Sequence, residues 1–199
     1  MSLVDRVHGG YVFKRRIRRL SQLFAELIPP NCTVLDVGCG DGKLASSITQ
    51  QRPDLRIEGV DVLVREHTWV PVQAFDGISL PYDDHSFEAV MFVDVLHHAP
   101  DPVVLLREAV RVTRRWLIIK EHLLKGMAAG ARLRFMDYVG NSRFGVALPY
   151  NYWPEERWEE TRRMLGMKTS SEIKSLGLYP WPAELIFGAN LHFVSRFEV

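Results

Sequence analysis

A glycine-rich turn between a short apolar run and a helix constrains the fold of this chain more than any other stretch. Residues 33–37 form a mostly apolar run that predicts a buried strand, and glycines follow at positions 38, 40 and 42. From Lys43 onward, Leu44 and Ile48 recur at helical spacing and predict a helix. Glycine lets a backbone approach a ligand closely, and a helix start exposes N–H groups. The turn therefore predicts a ligand site rather than a plain connection.

The spacing of the glycines discriminates between classes of ligand. A dinucleotide fingerprint needs a small residue three positions after its second glycine. Lys43 stands at that position, and Gly42 comes one residue earlier. This spacing disfavours a nicotinamide-linked oxidoreductase.

The same turn resembles the first motif of class I S-adenosylmethionine-dependent methyltransferases, in which the loop surrounds the amino-acid part of the cofactor. The resemblance implies S-adenosyl-L-methionine as the cofactor, bound by Asp36, Gly38, Cys39, Gly40 and Gly42. The carboxylate of Asp36 is expected either to brace the amides of the turn or to meet the ammonium group of the cofactor.

A second acidic residue, Asp61, ends the strand predicted over residues 56–61 and falls 21 residues after Gly40. Nucleotide-binding α/β folds place there the carboxylate that accepts the ribose hydroxyls. The alternative is a helix N-cap. The next residue, Val62, is expected to supply an apolar wall for the adenine.

Further likeness to the family lies downstream. Residues 76–90 resemble a family segment in which the residue matched by Asp76, followed here by Gly77, accepts a hydrogen bond from the adenine amino group; the alternative is an Asp-Gly turn. Asp94 and Val95 follow the strand predicted over residues 87–93 and are expected beside the cofactor. The sequence Leu96-His97-His98 is similar to the type 11 group of small bacterial methyltransferases. Tyr11 is expected to cover the cofactor, as an N-terminal aromatic does in related enzymes.

The pattern of elements predicts one α/β domain over residues 1–199, a Rossmann-like doubly wound sheet of about seven strands. Most strands should be parallel, with an antiparallel C-terminal hairpin over residues 183–199. Other strands are expected at residues 70–75 and 116–119, and a capping box of Thr169 and Glu172 predicts a short helix. Residues 1–30 contain a predicted amphipathic helix from Phe13 to Leu27. Residues 123–150 show no sustained period and are interpreted as a lid insertion, or else as an extension that packs or dimerises.

Methyl transfer needs a base only when the acceptor has a proton to lose. His98, His97 and Glu121 are the predicted catalytic residues, with His122 as a further candidate base; each could instead cap or pack. No ligand motif such as H-E-x-x-H is present, so no metal is predicted.

Composition limits the remaining classes. The net charge of +1 disfavours nucleic acid as a partner. Basic residues crowd one face of the first helix, at positions 14–16, 18 and 19, and they are expected to form a solvated surface or else to meet an anionic substrate or partner. No apolar run approaches the length of about 18 residues that a membrane span requires. We therefore predict a cytoplasmic monomer or homodimer that methylates a small-molecule acceptor. The alternatives are a non-catalytic S-adenosylmethionine-binding module and an RNA or protein methyltransferase.

Overall fold

The structure, a computed structural model, describes residues 11–141, 148–188 and 190–199. Helices and strands alternate along most of the chain. The strands are β1 (Thr33–Val37), β2 (Arg56–Asp61), β3 (Val72–Ala74), β4 (Phe87–Val93), β5 (Thr113–His122), β6 (Lys168–Ile173) and β7 (His192–Glu198). The helices are α1 (Phe13–Leu27), α2 (Lys43–Gln51), α3 (Pro102–Val112), α4 (Ala129–Asn141), α5 (Glu155–Met164) and α6 (Ala183–Phe187), with a 3-10 turn at Leu96–His98.

The seven strands form one sheet in the order β3-β2-β1-β4-β5-β7-β6. Pairing is parallel from β3 to β5, and β7 runs antiparallel to both β5 and β6. The predicted doubly wound sheet with an antiparallel C-terminal strand is confirmed. Strand order reverses between β1 and β4, and ligands of such sheets bind beyond the carboxyl ends of the strands at that point.

Helices cover both faces of the sheet, and successive side chains of a strand point to opposite faces. Ala89 and Met91 of β4 pack on the side of α1 and α2, whereas Val90 and Phe92 pack on the side of α3 and α5. The buried face of α1 presents Leu20, Leu23, Phe24 and Leu27. The predicted amphipathic helix is thereby confirmed.

The basic face of α1 differs from the expectation of a solvated surface. Arg15 Nη2 donates to the carbonyl of Gly177 at 3.2 Å, and Arg19 Nε donates to that of Leu176 at 3.4 Å. Arg16 reaches further inward and bonds to Asp94. A solvated role is therefore wrong for these three arginines, which attach α1 to the body of the protein.

Two predictions for the C-terminal third are corrected. Thr169 and Glu172 lie in strand β6 and do not cap a helix, because β6 pairs with β7 and Ser195 donates to Glu172 at 3.1 Å. The residues predicted as the first strand of the hairpin, from Ala183, form α6 instead. The antiparallel partner of β7 on that side is β6.

Smaller differences concern element lengths and the lid. β3 is shorter than predicted, whereas β5 is longer and begins directly after α3 ends at Val112. The segment predicted as a lid contains α4, although its sequence shows no clear period. Residues 142–147 of that segment and residues 1–10 of the N-terminal region lie outside the described residues. Within the described part of the chain, no helix has the length and apolar character needed to cross a membrane.

Candidate cofactor and acceptor site

The glycine turn follows β1 and has the geometry that its sequence requires. Gly38, Gly40 and Gly42 have φ values of +73°, +62° and +74°. L-residues with a Cβ rarely adopt this left-handed region. A Cβ on Gly38 would also lie 2.5 Å from Val95 Cγ2, and one on Gly42 would lie 2.5 Å from Val70 Cγ2. Both space and conformation therefore demand glycine at these two positions.

Asp61 at the end of β2 braces this turn. Its Oδ2 accepts a hydrogen bond from Gly40 N at 2.8 Å, and its Oδ1 accepts one from Leu63 N at 2.8 Å. Each carboxylate oxygen has a second lone pair. The geometry thus suits a carboxylate that is fixed by the backbone and still able to accept two hydroxyl groups.

Asp36 does not brace the turn, which removes one of its two predicted roles. The amides of Gly38 and Cys39 donate to the carbonyl of Val60 at 2.8 and 3.3 Å, and Gly40 N donates to Asp61. Asp36 is 2% exposed, and no described residue donates a hydrogen bond to it. Burial, assisted by the negative charge of Asp61, raises the pKa of Asp36 to about 8. Burial also raises the pKa of the neighbouring Cys39 thiol.

An apolar surface beside Asp61 faces solvent. Val62 is 64% exposed, and a Cβ on Gly77 would lie 3.1 Å from its Cγ1. Asp76 is exposed, and its Oδ1 accepts hydrogen bonds from Ile78 N at 2.8 Å and Ser79 N at 2.7 Å. These N–H groups lower the pKa of Asp76. The predicted adenine residues are therefore brought together, on an Asx turn that fixes the carboxylate. Tyr11 is 60% exposed.

A buried ionic cluster lies where β4 and β5 end. Asp94 bonds to the ammonium of Lys120 and to the guanidinium of Arg16. Lys120 is fully buried, and its Nζ lies 3.3 Å from His192 Nδ1. Burial alone would raise the pKa of Asp94, but the charges of Lys120 and Arg16 hold it well below its usual range. For Lys120 burial prevails and lowers the pKa of the ammonium.

His97 and Glu121 form a second buried pair next to this cluster. His97 Nδ1 lies 2.8 Å from both carboxylate oxygens of Glu121, and their side chains are 1% and 2% exposed. Burial opposes the charged form of His97, but the charge of Glu121 and the nearby carboxylate of Asp137 raise its pKa to about 10. His122 lies 3.3 Å from Asp94 Oδ1, and burial lowers its pKa to about 4.

Asp137 joins this pair to the outer histidine. Its Oδ1 lies 3.6 Å from His97 Nε2 and 3.5 Å from His98 Nε2, and its Oδ2 accepts from Tyr152 Oη at 2.9 Å. The side chain of His98 is 14% exposed, so it is the most accessible member of the group. His98 N donates to the carbonyl of Val95 at 2.9 Å, and Val95 contacts Gly38. The group of His97, His98, Glu121 and Asp137, called the histidine group below, therefore adjoins the glycine turn.

The structure thus brings the predicted residues into two adjoining groups. One contains the glycine turn, Asp61 and the apolar surface around Val62; the other contains His97, His98 and Glu121. Sequence reasoning missed Arg16, Asp137, Tyr152 and His192, because each comes from an element distant in sequence with no local motif. The signal that could have found Asp137 is its place in the predicted lid.

Comparison with known proteins agrees with this geometry. Residues 35–116 match a family model described as "Methyltransferase domain". The 27-O-demethylrifamycin SV methyltransferase of Amycolatopsis mediterranei is 27% identical over 131 residues, which cover 55% of this chain and 48% of that protein. An uncharacterized methyltransferase of Mycobacterium sp. (strain JLS) is 33% identical over 133 residues, 62% of this chain and 52% of the relative. The chain spans about half the length of these two relatives.

The fold is shared with solved methyltransferases. The structure of an S-adenosylmethionine-dependent methyltransferase from Thermotoga maritima aligns with a TM-score of 0.65 at 19% identity, covering 98% of this chain and 97% of that one. The strand order and the glycine turn define a Rossmann-like fold. Together with the family match and the relatives, they support a class I S-adenosylmethionine-dependent methyltransferase, and they imply S-adenosylmethionine as its cofactor.

Proposed function

We propose that this chain transfers the methyl group of S-adenosylmethionine to a small-molecule acceptor. The observation that carries the proposal is the adjoining of two sites: a glycine turn braced by Asp61, and a polar histidine group reached through Val95. Transfer from a sulfonium is chiefly a matter of aligning the acceptor with the methyl carbon and excluding water. A cofactor site with an acceptor site beside it supplies that arrangement.

On the cofactor side, we assign the ribose hydroxyls to Asp61 and the adenine to Val62, Gly77 and Asp76. Asp36 is then left for the ammonium group, since the turn amides donate elsewhere. Val95 and the glycines line the space between. Tyr11 and the segment containing α4 are proposed to cover the bound molecules.

On the acceptor side, His98 is the residue that we expect to meet the acceptor, because its side chain is more accessible than that of His97 or Glu121. His97 and Glu121 are assigned positioning roles behind it. The Amycolatopsis relative acts, by its name, on 27-O-demethylrifamycin SV, which supports a small-molecule acceptor here.

The test separates a loss of cofactor affinity from a loss of acceptor turnover. Asp61→Ala should weaken S-adenosylhomocysteine binding by roughly 1.5–3 kcal/mol, the scale for hydrogen bonds to a charged group. His98→Ala should leave that affinity within about 0.5 kcal/mol, while lowering turnover of a working acceptor by about 10²-fold. Calorimetry and an acceptor screen measure the two effects. Wild-type protein whose melting temperature is unchanged by millimolar S-adenosylhomocysteine would refute cofactor binding; binding without turnover of any acceptor would favour the non-catalytic module.

A further inference from the structure

The histidine group has a donor geometry that the proposed methyl transfer does not by itself explain. His97 and His98 lie in the 3-10 turn after β4, and Asp137 reaches them from α4. One donor atom from each of the three residues lies within 4.8 Å of the others. We propose that His97, His98 and Asp137 bind a divalent metal ion of the zinc type. The proposal goes beyond the proposed function, and metal binding is measured separately from cofactor binding.

The first support is the buried nitrogen of His97. Its Nδ1 lies 2.8 Å from both oxygens of Glu121, so the proton on Nδ1 stays with this pair, and Nε2 is the nitrogen that a metal ion would take by displacing its proton. His97 Nε2 is buried and makes no hydrogen bond to any residue that the structure describes. A carboxylate behind one imidazole nitrogen, with the other nitrogen directed at a cation, is the usual outer shell of metal-bound histidine.

The second support is the spacing of the donor atoms. Asp137 Oδ1 lies 3.6 Å from His97 Nε2 and 3.5 Å from His98 Nε2. Two ligands of a tetrahedral zinc ion, each at about 2.0–2.1 Å from the metal, are separated by about 3.4 Å. Asp137 Oδ1 is therefore already at the separation from each imidazole nitrogen that a shared ion imposes, whereas 3.6 Å is too long for a hydrogen bond. The two imidazole nitrogens lie within 4.8 Å of each other.

The third support is the way in which Asp137 is held. Tyr152 Oη donates to its Oδ2 at 2.9 Å, so Oδ1 is the oxygen that faces the two imidazoles. Ligating carboxylates commonly receive such an outer hydrogen bond. The carboxylates of Glu121 and Asp137 also flank the site, and their charges would offset those of a divalent ion.

Two other groups of donors are less suitable. Asp94, His122 and His192 also approach one another, but Lys120 and Arg16 already bond to Asp94. A further cation there would meet two positive charges. A site of Glu121, His97 and His122 would have to displace the bond between Glu121 and His97 Nδ1.

The donor set also indicates the kind of metal. Two imidazoles and one carboxylate suit zinc or another borderline transition metal and do not suit magnesium, which prefers oxygen ligands. Three protein ligands leave a fourth tetrahedral position for water or for an oxygen of a bound molecule. The partial exposure of His98 places that position toward the outside of the group.

The experiment measures metal in the whole purified chain, with Zn²⁺ and Co²⁺ as probes. Wild-type protein dialysed after exposure to Zn²⁺ should retain about one equivalent by elemental analysis, and Co²⁺ should give the intense visible bands of a tetrahedral complex. His98→Ala and Asp137→Asn should lose both signals. Glu121→Gln should weaken the metal by about 10–100-fold, as removal of an outer-shell partner does.

His192→Gln is the matched control, because His192 is equally buried but lies outside the proposed ligand set. It should retain the metal. Affinity for S-adenosylhomocysteine reports whether each variant is folded, and it should be the same in all of them. Wild-type protein that retains no Zn²⁺ and gives no Co²⁺ spectrum would overturn the proposal. Equal metal content in wild type, His98→Ala and Asp137→Asn would do so as well.

Discussion

The protonation of Asp36 leads to a quantitative prediction for cofactor binding. Its pKa is raised to about 8 by burial and by the charge of Asp61, so about nine-tenths of the free protein carries this proton at pH 7. An ammonium group beside the carboxyl would favour its ionised form. If binding lowers the pKa by about two units, which corresponds to about 2.7 kcal/mol of interaction, about 0.8 proton is released per ligand at pH 7.

Calorimetry of S-adenosylhomocysteine binding at pH 7 measures this number, when it is repeated in two buffers with different ionisation enthalpies. The difference between the observed heats gives the protons released. Because the ionised form binds the ammonium, affinity should rise with pH, by about sixfold between about pH 6.5 and 7.5. Asp36→Asn should release no proton and lose this pH dependence. Identical heats in both buffers for the wild-type protein would refute the contact between Asp36 and the ammonium group.

Two further predictions concern stability and are measured by urea denaturation. Lys120→Met should lower the free energy of unfolding by about 3 kcal/mol, because it removes a buried cation from Asp94. The control, Lys174→Met, breaks an exposed pair with Glu155 and should lower it by less than about 1 kcal/mol. Equal effects of the two substitutions would show that the buried pair is not stabilising. Asp101→Ala should cost about 1 kcal/mol, since Asp101 accepts from Val103 N at 2.9 Å at the start of α3; an unchanged midpoint would mean that other contacts set this helix start.

The N-terminal half of the sheet could be predicted from sequence because its signals are local. β1 and β4 are short, mostly apolar runs followed by a glycine or an acidic residue, β2 ends at Asp61, and α3 begins at an N-cap followed by proline. Burial on both faces makes such strands apolar throughout. The positions of these elements along the chain therefore follow from the glycine, proline and acidic residues at their ends, which a single sequence displays.

The C-terminal third could not be predicted in this way. Residues 168–173 have the pattern of a capping box, yet they form an edge strand whose polar side chains are largely exposed. Pairing with β7 overrides the local preference, as strand propensity depends strongly on context. Nothing within the segment itself indicates that partner.

For a related reason, the sequence indicated only some members of the ionic and histidine groups. Strand register places Val93 beside Lys120 and His122 beside His192. Asp94 then meets Lys120 across the ends of β4 and β5, and α1 supplies Arg16 from the far end of the chain. Each residue is ordinary in its own stretch. Only the assembled sheet gives them a common environment.

The strand order also bears on how the protein forms during synthesis. β7 lies between β5 and β6, although it follows both in the chain. β6 therefore emerges from the ribosome before the strand that it pairs with, and it must wait beside an incomplete sheet until residues 192–198 are made. In that interval both β5 and β6 present unpaired backbone edges, which are templates for incorrect pairing. Insertion of β7 pairs with both of these edges in a single step, so both templates are removed once residues 192–198 have been made.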